Sequence, residues 1–305
     1  MDLDPKQLAA LVAVIEHGSF SQAARALNLT LAAVSMRVQA LEAQLGQRLL
    51  VRGKRSTATP AGQRLMAHAR QVQWLETEVL RDLSGAPMQT DRWTTLPVAI
   101  NADSLSSWWL PGVATTLQAQ RLLLDVQIDD QDHTHEALRQ GQVVGCVTSH
   151  DPGINGCVAQ ALGVMRYRCL AAPARVRDWQ DDAGRVSLHR MLASPAVIFN
   201  RKDRLQDAFL STHFDLRDAA YPRHYLPAVD AFESAIALGL GWGMVPELMW
   251  RQHPILADTQ EVFHDRPIDV PLVWLHWAKE AWAARQLTQA IQRAASQALS
   301  PPAAA

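Results

Sequence analysis

The run Ser19-Phe20-Ser21-Gln22-Ala23-Ala24-Arg25-Ala26-Leu27-Asn28-Leu29-Thr30 leads into Leu31-Ala32-Ala33-Val34-Ser35-Met36-Arg37-Val38-Gln39-Ala40-Leu41-Glu42, and the basic stretch Leu49-Leu50-Val51-Arg52-Gly53-Lys54-Arg55 follows. Val34, Val38, Leu41 and Leu45 recur at the spacing of one helix face. Asn28-Leu29-Thr30 breaks the chain before it, and Thr30 suits the cap of the next helix. Two apolar-striped helices joined by so short a break predict a helix-turn-helix, whose second helix is built to enter the DNA major groove. The charge agrees: residues 18–60 hold six cations against Glu42 alone, while the whole chain sums to −1. Concentrated positive charge is what phosphate binding needs.

With Val34, Val38 and Leu41 inward, Ala32, Ser35, Met36 and Gln39 point outward and Arg37 lies at the flank. Ser, Gln and Arg hydrogen-bond base edges, and Ala and Met contact thymine methyls. Thr30, at the helix start, joins this DNA-contacting set. Arg48, Arg52, Lys54 and Arg55 fall in the following wing, where phosphate contact is the expectation.

These residues, with Leu41-Glu42, Leu45-Gly46 and Thr59-Pro60-Ala61-Gly62, resemble the N-terminal domain of the LysR-type transcriptional regulators. One departure stands out: Thr30-Leu31-Ala32 replaces the Thr-Gln-Ser or Thr-Gln-Pro usual at the start of that family's recognition helix.

Outside this region, 305 residues with 48% hydrophobic and 19% charged side chains describe a globular chain of two or three domains. The N-terminus, Met1-Asp2-Leu3-Asp4-Pro5, lacks the basic and apolar regions of a signal peptide. The longest apolar run, near residues 235–246, is too short to span a bilayer. A cytoplasmic chain with no membrane partner is the expectation. Cys146, Cys157 and Cys169 lack ligand or disulfide spacing and read as buried small hydrophobes. His133, His135 and His150 read as scattered surface residues, since no helical spacing joins them.

The predicted order begins with helices over Pro5–His17, Ser21–Leu27 and Leu31–Gln44. A long helix from Thr59-Pro60 to about Leu83 carries Leu65, Val72 and Val79 seven apart, with Leu75 between. That is a short coiled-coil seam, expected to pair two copies on palindromic half-sites. From Trp93 onward strands are predicted at Leu96–Ile100, Leu122–Ile128, Val143–Thr148, Tyr167–Ala172, Ala196–Phe199, Met244–Pro246 and Pro271–His276. Helices are predicted between them at Ser104–Leu117, His133–Arg139, Leu205–His213 and Phe232–Leu238. This alternation implies parallel α/β sheets. The fold class is α+β overall. A winged helix-turn-helix spans 1–59 and a linker helix and hinge 60–92. A two-lobed α/β effector domain spans 93–298, of the periplasmic-binding-protein-like kind the resemblance implies. Its first lobe takes about 93–166 and 270–298, its second about 167–269, and 299–305 is left as a tail.

Ligands in such sheets sit beyond the carboxyl ends of strands, near helix starts. Asn101-Ala102-Asp103-Ser104-Leu105 leads from a strand straight into a helix, whose N–H groups and the Ser104 hydroxyl suit a carboxylate. Capping by Asp103 or Ser104 is the plain alternative. Asp129, Asp130 and Asp132 follow the next strand, Thr148 ends another, and Asp230 and Glu233 begin a later helix. An anion site at one end and carboxylates at the other suit a zwitterion with a cationic side chain. The predicted effector set is Asp103, Ser104, Asp129, Asp130, Thr148, Asp230 and Glu233.

Asn101–Leu105 with Trp108 or Trp109 and Leu110-Pro111, Asp129-Asp130, Arg139–Gly145 and Gln206–Phe209 resemble the arginine-export-activator (ArgP-type) subgroup of the LysR family. Its members respond to basic amino acids. Asp230-Ala231-Phe232-Glu233 departs from a more Ser-rich stretch, and Phe232 is expected to reshape the pocket. The resemblance implies a regulator of amino-acid export genes that senses lysine or arginine. A different small carboxylate as effector is the same-class alternative. Implied partners are double-stranded promoter DNA, the effector, a second copy in a homodimer or tetramer, and RNA polymerase as a further candidate. No cofactor, metal or catalytic residue is implied: there is no GxSxG elbow, P-loop or GxGxxG after a strand, so an enzyme or plain solute-binding module is the weaker reading.

Overall fold

The computed structural model describes residues 2–51, 53–83, 93–128 and 134–301. The first helices form as their caps dictate. In α1 (Pro5–His17) Asp4 accepts from Lys6 N–H at 2.8 Å, Pro5 occupies the first turn and Gly18 closes the end at φ +69°. Ser19 caps α2 (Phe20–Ala26), which starts one residue before the predicted Ser21, and Thr30 caps α3 (Leu31–Leu45). Leu11, Val14, Val34, Val38, Leu41 and Leu49 are fully buried together. Each such aliphatic burial stabilises the head by about 1.5–3 kcal/mol. The wing is a two-stranded antiparallel ribbon, β1 (Leu50–Val51) with β2 (Thr57–Ala58). Glu42 steadies its approach by accepting the Leu49 N–H at 2.8 Å. Then α4 (Pro60–Leu83) runs as one helix, as its uninterrupted sequence predicts.

The remaining chain builds a seven-stranded mixed sheet, where parallel sheets were expected, and a small two-stranded parallel one. Strands β3 (Thr94–Ile100), β4 (Leu122–Ile128) and β5 (Gly145–Thr148) are parallel. Between β3 and β4 an unbroken helical run holds α5 (Ala102–Ser104), a π turn (Leu105–Trp109) and α6 (Leu110–Ala119). Helix α7 (His135–Arg139) precedes β5. The predicted strand at 167–172 is the end of β6 (Cys157–Ala171), fifteen residues long. Next come α8 (Pro173–Trp179), α9 (Leu188–Leu192), β7 (Ala196–Ile198), α10 (Leu205–Phe214), β8 (Arg223–Tyr225), α11 (Val229–Ala237), β9 (Gly243–Pro246), α12 (Glu247–Gln252) and β10 (Gln260–Glu261). Strand β11 (Ile268–Trp277) and α13 (Trp282–Ala298) complete the fold.

Two lobes follow from how β6 is shared. Ten residues of β11 pair antiparallel with β6, and β11 in turn joins β5, β3 and β4. The last residues of β6 instead pair with β9, also antiparallel, and with β10. Parallel β7 and β8 attach there through Val197 N–H to Trp242 O at 2.7 Å. Helix α13 lays Leu287, Ile291 and a row of alanines onto the first lobe. Leu299 and Ser300, assigned by sequence to the tail, are tied to the fold: Leu299 is buried in the core, and Ser300 bridges β6, with Val164 N–H bonding Ser300 O at 2.9 Å. Residues 302–305 lie outside the described residues.

The seven-residue repeat of α4 is divided among surfaces. Leu65 packs into the head's own core, Leu75 lines a cavity beside the effector domain, and Val79 stands 54% exposed.

Candidate functional site

The head presents one polar-apolar edge. Thr30 Oγ1 accepts the Ala33 N–H at 3.2 Å, so this hydroxyl first serves as the cap of α3. Ala32 and Gln39 are exposed and Ser35 and Arg37 half-buried on the outward face. Met36 and Leu31 are 66% and 54% exposed, large apolar side chains offered to solvent at the tip. Leu31 was missing from the sequence-derived contact set, although its place directly after the cap already put it at the helix tip.

Lys54 and Arg55 are exposed at the wing; Arg52 lies outside the described residues. The wing is fastened to the α1–α2 turn. Ser56 N–H donates to Gly18 O at 2.7 Å, and the Arg55 stem lies so close to Gly18 that a Cβ there would stand 2.7 Å from Arg55 Cγ. Gly18 takes the left-handed φ that favours glycine, and any added Cβ would also force the Arg55 stem to shift.

The second site lies at the carboxyl edge of β3, β4 and β5. Here β3 ends at Ile100 and passes directly into the helical run from Ala102, whose first intrahelical bond is Leu105 N–H to Asn101 O at 3.1 Å. Ser104 is fully buried, and its Oγ has no hydrogen-bond partner among the described residues. A buried hydroxyl without a partner costs about 1–3 kcal/mol, so this one is a candidate for a ligand atom. Beside it, the Tyr167 phenol donates to Asp103 Oδ2 at 2.7 Å. Ser106 and Ser107 hydroxyls turn back onto the carbonyls of Ala102 and Asp103, through the π turn. Such turns are frequent at functional sites.

Of the other predicted residues that the structure describes, Thr148 shares this sheet edge, whereas Asp230 and Glu233 lie on α11 in the second lobe. Thr148 ends β5 and is fully buried. Asp230 is exposed in the first turn of α11. Glu233 is only 4% exposed and lies 2.6 Å from His253 Nδ1, so its carboxylate is committed to an internal pair. Burial pushes the Glu233 carboxyl above its ordinary value, opposed by the His253 hydrogen bond. Phe232, expected at the pocket, packs in the second lobe's core with Leu170, Val197 and Val245, edge-on to Phe199. Asp129, Asp130, Asp132 and His133 lie outside the described residues. The histidines are less scattered than predicted: the His135 and His150 rings sit edge to face, 5.4 Å apart. Tyr167 was placed in a strand by sequence but not in the site, because its phenol reaches Asp103 only through the tertiary fold.

A family model described as "Bacterial regulatory helix-turn-helix protein, lysR family" matches residues 5–63. The chain is 37% identical over 298 residues to the HTH-type transcriptional regulator ArgP of Pseudomonas fluorescens, covering 98% of this chain and 99% of that protein. The crystal structure of ArgP from Mycobacterium tuberculosis superposes with a TM-score of 0.88 at 36% identity, over 98% of this chain and 100% of the other. Full-length LysG from Corynebacterium glutamicum with bound effector Arg gives 0.84 at 33% identity, over 98% and 100%.

Proposed function

The chain belongs to the LysR family of bacterial helix-turn-helix regulators, among its ArgP-type members, and on that premise we propose that it is a promoter-binding sensor of a basic amino acid. Residues 1–59 act as the reading head, 60–92 as the pairing linker and 93–298 as the effector domain. The protein works in the cytoplasm as a homodimer or tetramer on double-stranded promoter DNA, with RNA polymerase as a further contact, and its targets include amino-acid export genes. Thr30, Ala32, Ser35, Met36, Arg37 and Gln39 line the base-reading edge, and Arg52, Lys54 and Arg55 hold phosphate. Lysine or arginine occupies the cleft at Asp103 and Ser104, with Thr148 beside it and Asp129, Asp130 and Asp230 on the cation's side.

The observation that carries this reading is the buried Ser104 hydroxyl at a helix start, without a hydrogen-bond partner among the described residues and next to the Asp103 carboxylate. A helix start and a hydroxyl suit the effector's carboxylate, and a carboxylate suits its ammonium group. The arginine held by the related LysG supports the same class of ligand. A ligand shifts the head only through unequal affinity for two arrangements of the protein.

Titration calorimetry with lysine, arginine and a neutral amino acid tests it. Heat with a basic amino acid and none with the neutral one is expected; no heat with either basic one removes the assignment. Glu233 favours one second reading, a small carboxylate without a cationic side chain. Its pairing with His253 removes one acid from the predicted cation end. The same titration separates the two.

A further inference from the structure

Arg70 lies midway along α4, and its guanidinium serves both ends of the molecule. Nη2 sits 2.8 Å from Glu16 Oε1, in the last turn of α1. Nη1 donates to the carbonyl of Gly141 at 3.3 Å, in the effector domain. The Arg70 side chain is 21% exposed, so solvent screens these contacts only in part. One turn earlier on α4, Ala67 meets the same loop. Gly141 takes φ +63°, and a Cβ on it would stand 2.3 Å from Ala67 Cα. Only glycine permits both that conformation and that approach. Ala67 itself is buried with Leu138, Val143 and Trp277 of the effector domain.

From this contact α7 leads back to the sheet edge that holds the cleft. Gly141 N–H bonds Leu138 O and Gln142 N–H bonds Ala137 O, both at 2.9 Å, so Gly141 travels with α7. At the other end of α7, the Thr134 hydroxyl donates to Val147 O at 2.6 Å, one residue from the end of β5. A cavity of about 170 Å³ lies among Trp74, Leu75, Leu96, Val144 and Trp277. At the Ala67–Arg70 turn, by contrast, α4 meets the Gly141 backbone directly.

We infer that Arg70 is a positioning residue that sets the reading head's angle on the effector domain and transmits displacement of α7 to α1. Only the cause of that displacement, an amino acid in the cleft, rests on the function proposed above. The coupling is then a free energy held in the Glu16–Arg70–Gly141 contact, measurable as the factor by which one ligand changes the affinity of the other.

The test uses the full-length protein and a duplex that the wild type selects from a random-sequence pool. Arg70→Met keeps the stem packing and removes both bonds; Glu16→Ala removes the head-side bond alone. Arginine binding without DNA is followed by calorimetry, and DNA affinity is measured with and without L-arginine. Both variants are expected to bind arginine within about twofold of wild type, while arginine's factor on DNA affinity shrinks by about threefold or more. Arg70→Lys, which keeps the charge but reaches one partner at a time, restores part of it. An unchanged factor in both variants overturns the proposal. Should the wild type show no arginine heat, the effector reading falls and Arg70 is judged on DNA alone. The same judgement applies if arginine binds without altering DNA affinity. One base pair is then inserted between the half-sites of the selected duplex. Wild type is expected to lose affinity and Arg70→Met to tolerate the insertion; equal losses overturn the proposal.

Discussion

Tyr167 and Asp103, 64 residues apart in the chain, are joined by a 2.7 Å hydrogen bond from phenol to carboxylate. Tyr167 is fully buried on the strand that both lobes share, and Asp103 stands in the first turn of the helical run that follows β3. The bond therefore holds the candidate site against the strand that both lobes share. Tyr167→Phe keeps the ring and removes the donor. A bond to a charged group is worth about 1.5–3 kcal/mol, so arginine affinity should fall by about tenfold. Calorimetry reads the affinity, and urea unfolding at unchanged slope reads any accompanying loss of stability. Unchanged binding would detach Asp103 from the effector site.

The wing and the recognition helix should fail in different ways. Lys54→Ala and Arg55→Ala remove exposed cations and should weaken all duplexes alike, each lowering the salt slope by about one. Met36→Ala removes a 66% exposed apolar tip and should cost about 1–3 kcal/mol of discrimination, chiefly at a thymine position. Binding isotherms on the selected duplex and its single-base variants, at two salt concentrations, separate these outcomes. Equal loss on every duplex for Met36→Ala would place that residue off the bases.

The head was legible because its signals are local. Thr30, Gly18 and Gly46 punctuate helices whose apolar spacing is unbroken, and α1 and α4 fall where that spacing places them. The effector domain was legible only in rhythm. Residues 157–166 carry small side chains and Gly163, with no clean period of two; they become strand because β11 pairs with them along its length. The buried face of α13 is largely alanine, which gives a weak apolar stripe. The Glu233–His253 pair and the meeting of His135 with His150 depend on distant segments, and no spacing in the chain encodes them.

Packing at the α6–α13 crossing yields a stability prediction free of any ligand. A Cβ added to Gly112 would lie 2.2 Å from the Ala294 Cβ. Gly112→Ala gains about 1 kcal/mol of helix propensity, but overpacking costs about 1–3 kcal/mol. Since the obstacle is a short, rigid side chain, the clash should win and unfolding should shift to lower urea. Ala294→Gly in the same chain should recover part of the loss, and additive effects of the two changes would contradict the contact.

The cysteines should be inert in the folded protein. Burial pushes the Cys146 and Cys157 thiols up to about 12, and Cys169 higher still. Thiolate is the reactive form, so at pH 8 a chromogenic disulfide should react slowly with native protein and with all three thiols after unfolding. Rapid reaction of one native thiol would point to a redox role.

Asp269 and Arg166 face each other across β11 and β6, and the guanidinium holds both carboxylate oxygens at 2.7 and 2.8 Å. Those hydrogen bonds pull the Asp269 carboxyl below the ordinary aspartate value, against a smaller opposing effect of burial. The folded state thus binds this proton less tightly than the unfolded chain does. Its contribution is complete above the ordinary aspartate value near pH 4 and is lost as pH falls through the depressed folded value. Both side chains are more than 40% exposed, so solvent limits the pair to about 0.5–1 kcal/mol. Asp269→Asn should lower stability by that amount at pH 7 and by progressively less below pH 4, as the wild-type carboxylate protonates. Urea midpoints of both proteins from pH 7 to pH 2.5 measure it. A difference that persists undiminished at the acid end would mean that the loss comes from packing at the β6–β11 crossing and not from charge.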